Sequence, residues 1–295
     1  MRRAFALAVA GSLALAGCVS APPEESVTAT PTGDVELITV GADETGAPTL
    51  EFDTDVDWTR VQTDVVWEGD GDALVDGQPL LLDLYGESLL DGAIVVDSYT
   101  GLARSFLLAP ELLGDDLYEL LLEQRVGARL LHVSPASSGG VDDEPPIALI
   151  IDVLPTRAAG MSADMPEDWP TVFLAEDGEP SVSIPESVER PAQTQVVTTI
   201  QGTGTQVREG SWVLANYVMV SWDGEVLDSS WPDERAPLEF EVGARTQIPA
   251  LEDALIDQLQ GSQVMILAPA TQAYPDKGPV VLVVDILDVF TPEVE

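Results

Sequence analysis

The sequence predicts an α+β fold: two tandem domains, each an antiparallel curved sheet packed on one short helix. Three observations carry that expectation. The chain echoes itself in order at a spacing of about 133 residues. Most of its apolar segments are short runs or alternations bounded by Gly, Pro and Asp, as strands are. Only one stretch of the second copy shows helical spacing.

The repeat is collinear. Val40, Gly46 and Pro48 recur as Val172, Gly178 and Pro180, and Tyr85 with Asp91-Gly92 recurs as Tyr217 with Asp223-Gly224. Asp97-Ser98 recurs as Asp228-Ser229, Gln124 and Gly127 as Gln258 and Gly261, and Pro146–Asp152 as Pro279–Asp285. Chance matches do not stay in register over more than a hundred positions. The domain boundaries follow: a leader at 1–17, a tether at 18–34, the first copy at 35–157, a linker at 158–167, the second copy at 168–290 and a tail at 291–295.

The elements are clearest in the second copy. Ser181–Ile184 is a short strand stopped by Pro185, and Gln195–Ile200 is β-rich. Trp212–Trp222 is a long apolar and aromatic strand, and Asp223-Gly224 turns it into a partner at Glu225–Asp228. Leu238, Phe240 and Val242 alternate with glutamates, a half-buried strand. Ile248, Leu251, Ala254, Leu255 and Leu259 switch to helical spacing, and Gly261 stands at the position of a helix C-cap. Val264–Leu267 and Val280–Leu287 are strands again. A helix with one apolar stripe packs across one face of such a sheet.

Composition removes several functions. With 12 Lys+Arg against 52 Asp+Glu, the net charge of −40 repels phosphate backbones, so no nucleic-acid partner is expected. One His and one Cys build no zinc site, and no metal or other cofactor is expected. A serine hydrolase would have to use His132, which sits in an apolar strand and reads as a core or edge residue. Asp70-Gly71-Asp72 lacks a calcium loop's spacing and reads as a solvated acidic turn, and Asp142-Asp143-Glu144 as an exposed loop.

The N-terminus carries Arg2 and Arg3, an apolar stretch over Ala4–Ala14, then Leu15-Ala16-Gly17-Cys18. The apolar stretch is too short to span a bilayer. Small residues before the only cysteine resemble the lipobox of bacterial lipoproteins. That resemblance implies lipidation at Cys18, a lipid membrane as partner, and a place on the extracytoplasmic side of the cell membrane. The Pro-, Ser- and Thr-rich residues after Cys18 read as a solvated tether.

The second copy resembles the FKBP-type peptidyl-prolyl isomerases, which makes the expected architecture two tandem FKBP-like domains. The resemblance rests on Val207–Gly210, Tyr217, Asp223-Gly224, Val226–Ser230, Pro237–Gly243, Ile248, Leu251–Gly261, Ala273-Tyr274 and Leu282–Asp285. It implies a pocket in which Tyr217 and Phe240 are walls. The Ile248 N–H and the Tyr274 hydroxyl would hold substrate carbonyls, and Asp228 would lie beside the carbonyl that rotates. Leu227, Leu238, Leu251 and Val284 fall on further substrate-binding positions, where the family usually carries aromatics. The loop after Tyr274 is short for the family. The first copy resembles the family through Tyr85, Asp91-Gly92, Asp97-Ser98 and Leu149–Asp152, but Ser137–Gly140 replaces the Ala-Tyr step, so no catalysis is expected there.

The implied chemistry needs neither nucleophile nor metal. An Xaa-Pro amide crosses a barrier of roughly 18–20 kcal/mol because twisting it breaks resonance. A dry apolar cradle favours the twisted amide, and each ~1.4 kcal/mol removed is tenfold in rate. The implied function is a peptidyl-prolyl cis-trans isomerase acting on Xaa-Pro segments of exported proteins, with activity in the second copy only. The alternative is a non-catalytic FKBP-like chaperone or envelope scaffold lipoprotein, favoured by the missing aromatics and the trimmed loop. Taken as bare residues, Tyr217 and Phe240 would also suit a plain core, Asp228 a turn cap and Tyr274 a surface loop.

Overall fold

The structure, a computed structural model, describes residues 31–41, 47–137, 144–175, 178–231 and 235–292. The leader, Cys18 and the tether up to residue 30 lie outside the described residues, as do 138–143, which hold most of the Ser137–Gly140 step and Asp142-Asp143.

The first half contains β1 (Thr39–Val40), β2 (Leu50–Glu51), β3 (Gln62–Trp67), β4 (Pro79–Ser88), β5 (Ile94–Asp97) and β6 (Arg104–Leu107). Helices α1 (Pro110–Leu113) and α2 (Asp115–Leu122) follow, then β7 (Arg129–Ser134) and β8 (Ile147–Leu154). The second half contains β9 (Met161–Ser162), β10 (Thr171–Leu174), β11 (Pro180–Ser183), β12 (Gln195–Gln201), β13 (Trp212–Ser221), β14 (Val226–Ser229) and β15 (Leu238–Glu241). It closes with α3 (Pro249–Leu255), β16 (Gln263–Ala268) and β17 (Val280–Phe290).

The two large sheets share one strand order. The first runs β3-β7-β8-β4-β5, with β6 also on β4; the second runs β12-β16-β17-β13-β14, with β15 also on β13. All these pairs are antiparallel. β13 and β17 are the centre of the second sheet, which is why their sequences read as nearly unbroken apolar runs. Val280, Leu282, Val284 and Ile286 face α3, while Val281 and Val283 face the opposite way. That opposite face is covered by the β10–β11 hairpin through Val172 and Val182, together with Trp169, Trp222 and Trp231. The first half repeats the three layers: α2 on one face over Leu80, Leu82 and Ile151, and Ile38, Leu50 and Trp58 on the other over Leu131, Val133 and Ile150.

Three sequence expectations change. The second-half helix stops at Leu255 and does not reach Gln260. Asp257 takes a positive φ of 69°, which a short polar side chain tolerates. From there the chain returns as an extended pair with 205–207, bonded Asp257 N–H to Val207 O at 2.9 Å and Gln260 N–H to Thr205 O at 2.8 Å. Gly261 is therefore a turn residue and not a helix cap. Among the described residues the first half carries two α-helices where one was expected, because Gly114 at φ 77° separates α1 from α2. The linker at 158–167 is not bare: Met161 and Ser162 form β9, which extends the second sheet along β12.

The halves meet through Leu81, Ala103, Leu214 and Leu287. At this seam the Ala103 N–H donates to buried Asp288 Oδ2 at 2.8 Å.

Candidate active site

The helix-facing side of the second sheet gathers most of the expected site. Val284 lies opposite Tyr217 across the β13–β17 ladder. Phe240 lies opposite Val213 and Leu238 opposite Ala215 across β13–β15. Paired residues share a face, so these side chains all point toward α3. Phe240, Leu251 and Val284 are buried in one apolar cluster, and Tyr217, Leu227, Leu238, Ile248 and Ala273 pack half-buried against it. Leu227 reaches the cluster because of a bulge: Met219 pairs with Asp228 and Val220 with Val226, leaving Leu227 without an opposite number.

Tyr217 and Asp228 form the polar edge. The Tyr217 hydroxyl donates to Asp228 Oδ2 at 2.6 Å, and Arg235 Nη1 donates to Asp228 Oδ1 at 2.7 Å. Burial, with the carboxylate it serves, pushes the Tyr217 phenol up to about 12. The Tyr217 hydrogen bond, aided by Arg235 against partial burial, holds the Asp228 carboxyl below its usual range. Asp228 is an acceptor with fixed direction, and not an isolated turn cap.

Ile248 is held by a buried acid. It is the N-cap of α3, with Pro249 at the first helical position. Glu252, one turn on and buried, accepts from the N–H groups of Gly243 at 3.1 Å, Arg245 at 3.0 Å and Gln247 at 2.8 Å. Burial opposes its charge, but those three donors prevail and leave the carboxyl below its usual range. The loop entering α3 is thereby fixed. Among the described residues no acceptor takes the Ile248 N–H. A donor at the rim of an apolar cluster is left available to a carbonyl.

Tyr274 is at the rim and outside the cluster. It follows the 3₁₀ turn at Ala270–Gln272, bridges to Gly278 in a tight hairpin and is 40% exposed. Lys277 Nζ stands 5.1 Å from its ring centroid, and its hydroxyl is within electrostatic reach of Tyr217.

The first half departs from the sequence alignment by one residue. Cross-strand partners Asp83 and Asp152 occupy the place of Asn216 and Asp285. Ser98 Oγ donates to Asp83 Oδ1 at 2.9 Å, as Ser230 Oγ does to Asn216 Oδ1 at 2.9 Å. Leu84 N–H donates to Ser98 Oγ at 2.7 Å, as Tyr217 N–H does to Ser230 Oγ at 2.9 Å. The counterpart of Tyr217 is therefore Leu84, and that of Asp228, read through the same ladder, is Val96. Tyr85 points to the opposite face, against Trp58 and Leu131, and donates to Glu87 at 2.6 Å. A shift of one residue in a strand reverses the face. Asp97 instead accepts the Tyr99 N–H. His132 is buried on β7 with its Nε2 3.1 Å from Ser134 Oγ, and burial holds its imidazole below the usual range, as a core residue.

Sequence reasoning missed Arg235, Glu252 and the Asn216–Ser230 pair. Arg235 carried a signal: it is one of only 12 basic residues and lies close in sequence to Asp228. Glu252 carried none, since its partners are backbone groups.

The second half thus sets an apolar cluster, edged by a tyrosine–carboxylate pair and by an N–H with no acceptor among the described residues, on an antiparallel sheet backed by a short helix. A family model for FKBP-type peptidyl-prolyl cis-trans isomerase matches residues 203–283. A FK506-binding protein of Streptomyces anulatus is 31% identical over 100 residues, covering 34% of this chain and 79% of that protein. The crystal structure of the three FKBP domains of wheat FKBP73 matches 79% of this chain and 95% of its own, at 16% identity and a TM-score of 0.32. The chain belongs to the FKBP-type peptidyl-prolyl cis-trans isomerase family.

Proposed function

We propose that this protein catalyses cis-trans isomerisation of Xaa-Pro bonds in the cradle of its second half. The observation that carries the reading is the Tyr217–Asp228 pair set over the Phe240–Val284 cluster, with the Ile248 N–H available beside it. The prolyl ring enters the cradle and loses water. The Ile248 N–H, and the Tyr274 hydroxyl from the rim, bond the flanking carbonyls. The Asp228 side lies beside the amide that twists. Loss of resonance lowers the polarity of the amide, so a dry apolar wall favours the twisted form over the planar one.

The first half is read as a tandem copy of the same domain that does not catalyse. Leu84 and Val96 stand where the hydroxyl and the carboxylate are in the second half. The Cys18 motif supports attachment to the outer face of the cell membrane, which makes exported proteins the substrates.

A protease-free assay of the full chain on Xaa-Pro peptides tests this. The expected result is catalysis that falls about tenfold or more in Asp228→Ala and Tyr274→Phe. A wild-type rate equal to buffer rejects it. Suppression of client aggregation by that inactive protein would then favour the chaperone or scaffold reading, which Leu227, Leu238 and Leu251 in aromatic positions support.

A further inference from the structure

The bonds that hold Tyr217 from behind lead out of the second half. The Tyr217 N–H donates to Ser230 Oγ at 2.9 Å, and the Ser230 hydroxyl donates to Asn216 Oδ1 at 2.9 Å. The Asn216 amide then donates to the Thr156 carbonyl at 3.0 Å. Thr156 lies just beyond β8, in the segment leaving the first half. The same segment is held twice more. The Ala158 N–H donates to Asp285 Oδ2 at 2.8 Å, and the Ala159 N–H to Gly261 O at 2.9 Å. Asp285 is the cross-strand partner of Asn216, and its Oδ1 accepts from Gln263 Nε2 at 2.8 Å. Asn216 and Ser230 are buried, so the bond between them is shielded from bulk water.

The first half shows the same serine arrangement with an aspartate in place of the asparagine. Asp83 replaces Asn216, accepts from Ser98, and when ionised has no donor to offer a passing carbonyl. Asn216 is the sole asparagine of the chain. An amide is the side chain that accepts from Ser230 and donates to Thr156 at once.

We propose that Asn216 is a positioning residue for the isomerase reaction, clamping the 156–159 strap to the backbone of Tyr217. The proposal rests on the site reading above. It makes the rate in the second half depend on a segment supplied by the first. With the strap released, β13 loses its outer support at the residue whose hydroxyl must meet Asp228 at 2.6 Å. Small misplacements of a reacting geometry cost rate and not affinity.

The test uses the full chain and two variants. Asn216→Asp keeps the acceptor for Ser230, removes the donor and sets a carboxylate against the Thr156 carbonyl. Ala158→Pro removes the N–H that Asp285 accepts and changes no residue of the second half. Both are expected to lower kcat about tenfold with KM within about twofold of wild type, at a temperature where circular dichroism shows full folding. An unchanged kcat in folded variants overturns the proposal, as does a kcat that returns to wild type once cooling restores folding. If Asn216→Asp does not fold, Ala158→Pro decides alone. A wild-type chain without isomerase activity sinks the site reading instead, so the two failures are told apart.

Discussion

The Tyr217 hydroxyl meets Asp228 Oδ2 at 2.6 Å, and each group holds the other in its charge state. Asp228 is lowered, so what its charge contributes is present above the ordinary carboxylate range and lost only as pH falls through its lowered value. Tyr217 is raised, so its contribution is complete below the ordinary phenol range near 10 and lost as pH rises through about 12. The pair is intact at every pH between. The expected kcat/KM profile is flat from about pH 5 to 9, and a bell centred near neutrality would contradict the assignment.

Glu252 supports the loop that presents Ile248. Replacing it by Ala leaves three N–H groups without their buried, charged acceptor. The expected loss is about 3 kcal/mol in denaturant unfolding, with a lower kcat/KM in whatever fraction remains folded. Because its carboxyl is lowered, the stabilisation is present at neutral pH and disappears in acid as pH falls through that lowered value.

Asp83 is a buried carboxyl at the position that an amide, Asn216, holds in the second half. Burial first, then the nearby Asp288 and Asp152 carboxylates, push Asp83 up to about 7 against the pull of Ser98 and Arg129. It opens with Asp152, Asp288 and Arg129 onto a cavity of about 770 Å³ at the seam of the halves. A raised carboxyl favours the fold below its unfolded value and withdraws that favour as pH rises through about 7. Asp83→Asn, which copies Asn216, is expected to raise stability at pH 8 by on the order of 1–3 kcal/mol and to change little at pH 4. Thermal melts at the two pH values check this; equal shifts at both would contradict it.

Tyr85 and Tyr217 should part company on mutation. Tyr85→Phe removes one bond, to Glu87, on the face away from the helix, and is expected to leave isomerase activity unchanged at a cost of about 1 kcal/mol. Tyr217→Phe is expected to lower kcat/KM about tenfold through Asp228. Equal effects on activity would mean that both faces of the fold bear on catalysis.

Much of this was legible in the sequence because it is written locally. The Trp212–Ser221 and Val280–Phe290 strands announce themselves as apolar runs, and Asp223-Gly224 as the turn between β13 and β14. The end of α3 was not, because Asp257 stops the helix only by pairing with Val207 across a loop. The alignment of Tyr85 with Tyr217 was plausible letter by letter and wrong by one residue. Identical letters say nothing about which face they occupy, and only the Ser98–Asp83 and Ser230–Asn216 bonds settle the register.

The amino-acid order alone determined the mostly antiparallel sheets with few helices, since they follow from periodicity and spacing along the chain; it also led to the reading of two copies and of an apolar site in the second. Only the folded chain decided that Tyr217 meets Asp228, that Glu252 secures the loop before Ile248, and that the segment after β8 reaches Asn216. Asn216 and Thr156 are 60 positions apart, and although the other contacts are nearer along the chain, they depend on how a turn or loop folds back; their partners are often backbone groups, which every residue carries and no sequence pattern marks.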